Sequence, residues 1–411
     1  MTMHDVTVET VGTKGDGLAR LVDGTRVAIP FGLPGEIYRL DPGDTAHHER
    51  LSTSPDRVSP TCRHFGTCGG CIVQHWAPEA VRGWKRQRIE TALARAGLQA
   101  EVATTLDAHG AGRRRVTLHI RHRDGDTRAG FMRAASHDLI DLDQCPLLVP
   151  ELAPAPDLAR GIGHILRGIN KPMDLQVTAS AEGLDCDLRG CGPLPEPLRK
   201  KLIDFAVTRD LARLTLHGER LVEARLPRIA FEDRPEMLAF LPAGSFLQAT
   251  ARAEAQLADL ARQALGKAKN VVELFCGLGP FGLRLARDMK VSAFDSDAGA
   301  IDAFNRSLRA HPGGKPATAE ARDLFRRPLF APELKPYDAA LLDPPRQGAE
   351  AQIRELAKSK IPHIVYISCD PETFARDANA LVAAGFRLGE VTPVDQFRHS
   401  AHIELVASFR R

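Results

Sequence analysis

A chain of 411 residues exceeds what one ordinary core supports, so two or three domains are expected. With 43% hydrophobic and 26% charged residues, its composition is that of a globular protein and excludes a disordered or fibrous class. The net charge of +3 selects no partner, and no apolar run approaches the roughly 18 residues that cross a bilayer, so no membrane partner is expected.

The N-terminus, Met1 to Val11, mixes His4, Asp5 and Glu9 among apolar residues and lacks the basic-then-apolar pattern of a secretory leader. A cytoplasmic protein is expected. Residues 5–50 read as short β-strands: Val6, Val8 and Val11 precede Gly12, Gly15 and Gly17, and Val27-Ala28-Ile29 leads to Pro30. Short strands with such punctuation predict a small barrel. Eight cysteines are too few for a disulfide scaffold, and Cys62-x5-Cys68-x2-Cys71 is a tight trio of the kind that binds metal in a reducing compartment. Cys186 and Cys191 are read as incidental.

A helix is expected from Pro78 to Ala96, with Trp84, Ile89 and Leu93 on its buried face and Arg82, Lys85, Arg86 and Arg88 pointing elsewhere. From Arg82 to Arg133 there are 12 Lys and Arg against 5 Asp and Glu, with Arg113, Arg114 and Arg115 at the centre. A stretch so basic can neutralise the phosphates of an RNA. Residues 113–140 alternate as strands, and 150–240 mix helix and strand without an assigned task.

From about residue 250 the pattern changes. Helix Ala251–Leu265 leads to strand Asn270–Leu274, a Gly-rich turn and a helix through Asp288. Strand Val291–Phe294 and a helix to Leu308 follow, then strands at 339–342, 363–367 and 401–409. Such alternation predicts an α/β fold with a doubly wound, mainly parallel sheet, whose ligands bind beyond the carboxyl ends of the strands.

The turn Phe275-Cys276-Gly277-Leu278-Gly279-Pro280 lets the backbone approach a ligand closely. Asp295, ending the next strand, can accept hydrogen bonds from ribose hydroxyls. A nucleoside cofactor is expected, and S-adenosylmethionine fits better than NAD because nothing indicates hydride chemistry. In Asp343-Pro344-Pro345-Arg346, arginine replaces the aromatic residue that amine methyltransferases stack on their substrate. Uracil C5 is a poor nucleophile until a thiolate adds at C6, and the C5 proton must then leave to a base. Cys369, in Ser368-Cys369-Asp370-Pro371, suits the first role, with a helix N-terminus to stabilise the thiolate. Glu404, in His402-Ile403-Glu404, suits the second.

Phe246-Leu247-Gln248, the 275–279 turn, Asp343-Pro344-Pro345-Arg346, Ser368-Cys369-Asp370-Pro371 and His402-Ile403-Glu404 together resemble the RNA uracil-5 methyltransferase family in order and spacing across 240–411. The resemblance implies that Cys369 is the nucleophile and Glu404 the base. It also implies that Gln248, Phe275, Gly277, Gly279, Asp295, Asp323 and Asp343 contact S-adenosylmethionine or the target base. Phe246 and Arg113–Arg115 fall near RNA. Residues 15–20, 27–30 and 34–36 resemble a TRAM barrel. Cys62, Cys68, Cys71 and the distant Cys145 match the family's iron–sulfur branch and suit a [4Fe–4S] cluster, although zinc binds four-cysteine sites equally well. Relatives often carry Asn in place of Pro280, a loss of one side-chain donor worth about 1 kcal/mol.

The expected architecture is a TRAM/OB-like β-barrel (1–55), a central α+β iron–sulfur and RNA-binding domain (56–240) and a Rossmann-like methyltransferase domain (241–411), working as a monomer. The expected activity is methylation of a uridine to 5-methyluridine, in 23S ribosomal RNA ahead of transfer RNA. The rivals are a cytosine-5 methyltransferase, which would carry a cysteine after the proline of the Asp343 motif, and a non-catalytic iron–sulfur RNA-binding protein.

Overall fold

The computed structural model describes residues 3–411 except 42, 124, 135 and 170. Strands β1 (His4–Val11), β2 (Gly17–Arg20), β3 (Arg26–Ile29), β4 (Ile37–Asp41) and β5 (Asp44–Arg50) form an antiparallel sheet in the order β3-β2-β1-β4-β5. Its edges curl towards each other, as the expected small barrel requires, around Val8, Ala19, Ile29, Tyr38 and Leu40. Glu36 is fully buried beneath it and is held by Arg57 through Nε–Oε1 (2.6 Å) and Nη2–Oε2 (2.7 Å). That pair fastens the barrel to the segment entering the cysteine trio.

Helix α1 (Pro78–Arg95) and strand β6 (Leu106–Asp107) come next. Although they lie within 56–240, they pack on the catalytic domain: Ile89, Leu93 and Val102 share a core with Tyr366, Phe374 and Phe409. The apolar residues of α1 divide between two surfaces: Ile89, Ala92 and Leu93 join that core, while Val81 and Trp84 pack with Val11, Leu33 and Trp76. One expectation for this helix is overturned. Lys85 points inward, fully buried, with Nζ 2.6 Å from Asp395 Oδ1. A buried ammonium is tolerated because a carboxylate and the Phe397 carbonyl meet it.

The central sheet consists of β7 (Arg115–Arg123), β8 (Asp126–Met132), β9 (Leu139–Asp141), β10 (Met173–Ser180), β11 (Gly183–Arg189), β12 (Arg213–Leu216) and β13 (Glu219–Glu223). Helices α2 (Ala155–Ile165) and α3 (Glu196–Thr208) cover it. Residues 150–240 thus complete this sheet, and Cys186 and Cys191 lie in its core. The hairpin β14 (Arg228–Phe231) and β15 (Arg234–Phe240) leads to the last domain.

There, α4 (Ala251–Leu265), β16 (Asn270–Leu274), α5 (Pro280–Leu285), β17 (Lys290–Asp295), α6 (Ala298–Ala310), β18 (Ala317–Ala321), β19 (Ala339–Leu342), α7 (Glu350–Lys358), β20 (His363–Ser368), α8 (Pro371–Ala383), β21 (Arg387–Asp395) and β22 (Glu404–Arg410) build the Rossmann-like unit. The sheet order is β18-β17-β16-β19-β20-β22-β21-β6, parallel from β18 to β20 and antiparallel at β22. The strand order reverses between β16 and β19, so a crevice opens beyond their carboxyl ends. No described helix is long and apolar enough to cross a membrane.

Candidate active site

The crevice is a cavity of about 540 Å³. Phe246, Gln248, Phe275, Gly277, Asp295, Asp343, Cys369 and Glu404 all line it, so eight residues singled out from six sequence segments converge. Gly279 shapes the crevice from behind. It caps α5 in the left-handed region (φ 73°), and a Cβ there would lie 2.4 Å from the Phe304 ring. Pro280 takes the first helical position, where its missing N–H costs nothing. Phe275 also holds a positive φ of 65°, which directs the glycine loop over the strand end.

Asp295 Oδ2 accepts from Gly277 N (2.9 Å) and Oδ1 from Asp297 N (2.9 Å), so this carboxylate braces the loop as well as facing the cavity. Asp323 is not among the lining residues. It caps its own turn by accepting from Phe325 N (3.0 Å) and Arg326 N (3.2 Å). The neighbouring Phe325 enters the cavity instead, its ring centroid 5.3 Å from that of Phe275. A lone phenylalanine in a loop carries no periodic or motif signal, which is why sequence reasoning missed it.

Cys369 and Glu404 meet through sheet register. In the β20–β22 ladder, Ser368 pairs with Leu405. Cys369 directly follows that pair and Glu404 directly precedes it, so the two enter the same crevice from adjacent strand ends. Burial pushes the Glu404 carboxyl up to about 8, with Asp343 adding to the effect and Gln396 and Arg346 opposing it. Burial likewise pushes Asp343 up to about 7. The Cys369 thiol is pushed up to about 12, first by burial and then by Glu404 and Asp343. The expected stabilisation of the thiolate by α8, capped by Asp370, is therefore outweighed: two facing carboxylates and desolvation exceed the partial charge of a helix end. Arg346, with Nη2 3.1 Å from His402 Nε2, is the cation that pulls the other way.

A second cavity of about 420 Å³ is lined by Cys62, Cys68, Cys71 and Cys145, so the trio and the distant cysteine do converge. Gly70 N lies 3.4 Å from Cys68 Sγ, and Gln74 Nε2 3.8 Å from Cys71 Sγ. Among the described residues, no group of three or more His, Cys, Asp or Glu is gathered tightly enough to hold a metal ion. Phe246, Leu247 and Phe397 line both cavities and form the wall between them.

The three arginines separate. Arg113 is exposed and lines the cysteine cavity. Arg114 is buried, paired with Glu254 and donating to the Gln248 carbonyl (3.0 Å). Arg115 donates to Thr178 Oγ1 (2.8 Å) and to the Ser245 carbonyl. Side chains committed to internal partners in this way do not present their charge to a polyanion. Phe246, by contrast, is 72% exposed.

Comparison with known proteins agrees with this geometry. The model of the tRNA (uracil-5-)-methyltransferase family matches residues 316–410. An RNA methyltransferase of uncharacterised function from Brucella suis is 44% identical over 98% of this chain and 96% of its own. A Caulobacter vibrioides protein described in the same words is 43% identical over the whole of both chains. The 23S rRNA (uracil(1939)-C(5))-methyltransferase RlmD of Halomonas elongata is 33% identical over 98% of this chain and 88% of its own. Among solved structures, the tRNA (uracil-54, C5)-methyltransferase of Pyrococcus abyssi, in complex with S-adenosyl-L-homocysteine, has the same fold: TM-score 0.75 at 22% identity, covering 99% of this chain and 100% of that one. With relatives matched end to end at these identities, the chain belongs to the RNA uracil-5 methyltransferase family.

Proposed function

We propose that this protein converts a uridine in 23S ribosomal RNA to 5-methyluridine, with S-adenosylmethionine as methyl donor. The observation that carries the reading is that Cys369, directly after β20, and Glu404, opening β22, line one crevice together with the glycine turn. Cys369 gives up its proton to solvent and adds through Sγ to C6, which leaves the electron pair at C5, delocalised onto the C4 carbonyl oxygen. S-adenosylmethionine, when bound, supplies the methyl group that C5 accepts. Glu404 then takes the C5 proton, the C5–C6 double bond re-forms, and the thiolate is expelled. The full name of the Halomonas relative favours ribosomal RNA. Exposed Phe246 and Arg113, at the shared wall and the cysteine cavity, are the side chains we assign to RNA contact.

The donor set fits a [4Fe–4S] cluster held by Cys62, Cys68, Cys71 and Cys145. All four cysteines line one cavity, four thiolates suit such a group, and N–H groups of Gly70 and Gln74 lie beside two of the sulfurs. Its place beside the shared wall gives it a structural role.

RNA containing 5-fluorouridine tests the chemistry, because fluorine at C5 cannot leave as a proton. A covalent adduct that forms with the native enzyme and not with Cys369→Ala supports the reading; no adduct with either defeats it. Mass mapping of RNA from a deletion strain tests the target. Loss of one 23S methyluridine supports it, and loss from transfer RNA moves the assignment there. Anaerobic purification tests the cluster: a brown protein with four irons per chain is expected, and a colourless protein with stoichiometric zinc refutes it.

A further inference from the structure

Gln396 follows β21 directly and is 1% exposed. Its Oε1 accepts from the main-chain amides of Ala249 (2.8 Å) and Thr250 (3.4 Å), which open α4. Those donors settle which end of the amide is oxygen. Its Nε2 therefore faces the opposite way and donates to Gln248 Oε1 (2.8 Å) and Glu404 Oε1 (3.1 Å). Gln248 in turn donates through Nε2 to Asp343 Oδ2 (3.2 Å). The polarity thus runs one way, from helix amides through two glutamines, and ends on two buried carboxylates.

We propose that Gln396 is a positioning residue that aims the Glu404 carboxylate into the crevice and couples it to the Gln248–Asp343 side of the same cavity. This rests on the reading of Glu404 as the base. A carboxylate anchored at one oxygen keeps the other free to receive a proton along a fixed direction, and a general base is effective only when so directed. Among the described residues, no other side chain is hydrogen-bonded to Glu404.

The segment that delivers Gln396 is pinned on both sides. Lys85 Nζ meets Asp395 Oδ1 before it and the Phe397 carbonyl after it. His399 adopts φ 65°, which turns its carbonyl to accept from Ile72 N (2.8 Å) and Val73 N (3.3 Å), beside Cys71. Gln396 is therefore held by the body of the protein rather than by its own rotamer preference. The titratable and charged groups facing Glu404 are Asp343, Cys369, Arg346 and His402. Of these, Asp343 disfavours its ionised form and Arg346 favours it, so the Gln396 N–H is one of two groups sustaining the charge.

Gln396→Met keeps the length and removes both polar ends. Two rates separate its effects: adduct formation on 5-fluorouridine RNA, which precedes the base step, and tritium release from RNA labelled at uracil C5, which reports it. We expect adduct formation within about twofold of native, tritium release slowed by about tenfold or more, and its acidic limb displaced to higher pH. Equal slowing of both rates with an unmoved limb would overturn the inference and leave Gln396 a packing residue. Gln396→Asn, which keeps the amide but falls short of Glu404, gives the same comparison if the methionine variant does not fold. Glu404→Gln separates the two claims. If that variant also fails to slow tritium release selectively, the base reading itself fails. If it does slow release and Gln396→Met does not, only the positioning role is lost.

Discussion

Glu404 and Glu273 are both buried carboxylates, and both are pushed up to about 8, yet they do different work. Glu404 faces the crevice, and as the proposed base it would act only when ionised. Because its carboxyl is raised above the usual range, the active form is absent at low pH and appears as pH climbs. We expect the rate of tritium release from uracil C5 to rise with pH through about 8 rather than near 4.5. A limb near 4.5 would show that Glu404 is not the base. Glu273 lies under the glycine turn with no side-chain partner among the described residues, and the Gly282 backbone amide offsets its burial only in part. Its folded-state value exceeds its unfolded one, so its contribution favours folding at low pH and is lost as pH rises through about 8. Glu273→Gln should therefore melt higher than native at pH 8, with the difference closing towards pH 5 in a thermal scan. That Asp295, Asp343 and Glu404 meet in one crevice was legible in the motifs. That burial would lift the Cys369 thiol, against the pull of the helix, was not, because desolvation depends on neighbours far away in the chain.

At the scale of elements, α5 and the β20–β22 ladder decide whether the crevice exists. Gly279→Ala would drive a Cβ to 2.4 Å from Phe304, at a φ that alanine rarely adopts. The expected cost is about 1–3 kcal/mol in stability, together with weaker S-adenosylhomocysteine binding by calorimetry. An unchanged melting temperature and affinity would contradict that role. Helix α4 matches its expected bounds, from Ala251 to Leu265, because Thr250 Oγ1 caps it by accepting from Ala253 N. The last strand departs from expectation: 401–409 was predicted, and β22 begins at Glu404. The left-handed His399 breaks the extension, and the carbonyls of His399 and Ala401 serve Ile72, Val73 and Arg88 instead of a ladder. Strand β18 escaped notice altogether. Its Ala-Thr-Ala-Glu-Ala run at the sheet edge carries little β signal.

Across the whole molecule, one buried ion network binds the parts that shape the crevice. Arg114, opening the central sheet, pairs with Glu254 of α4; Glu254 also meets Arg284 of α5 (3.2 Å), and Arg284 meets Asp233 of the hairpin (2.6 Å). Arg114→Met strips one partner from a buried charge and should cost about 3–5 kcal/mol in chemical denaturation. A loss within about 0.5 kcal/mol, with weakened RNA binding, would return Arg114 to the role its basic neighbours first indicated. Local order along the chain was enough to determine the alternation of the catalytic domain, the glycine turn, the thiol and the carboxylate, because each depends on residues a few positions apart. Only the tertiary structure decided that Arg114 and Lys85 face inward, that α1 joins the core of the last domain, and that Gln396 is hydrogen-bonded to Glu404. Those outcomes depend on which buried carboxylate or apolar face lies opposite, and partners more than a hundred residues away leave no periodicity in sequence.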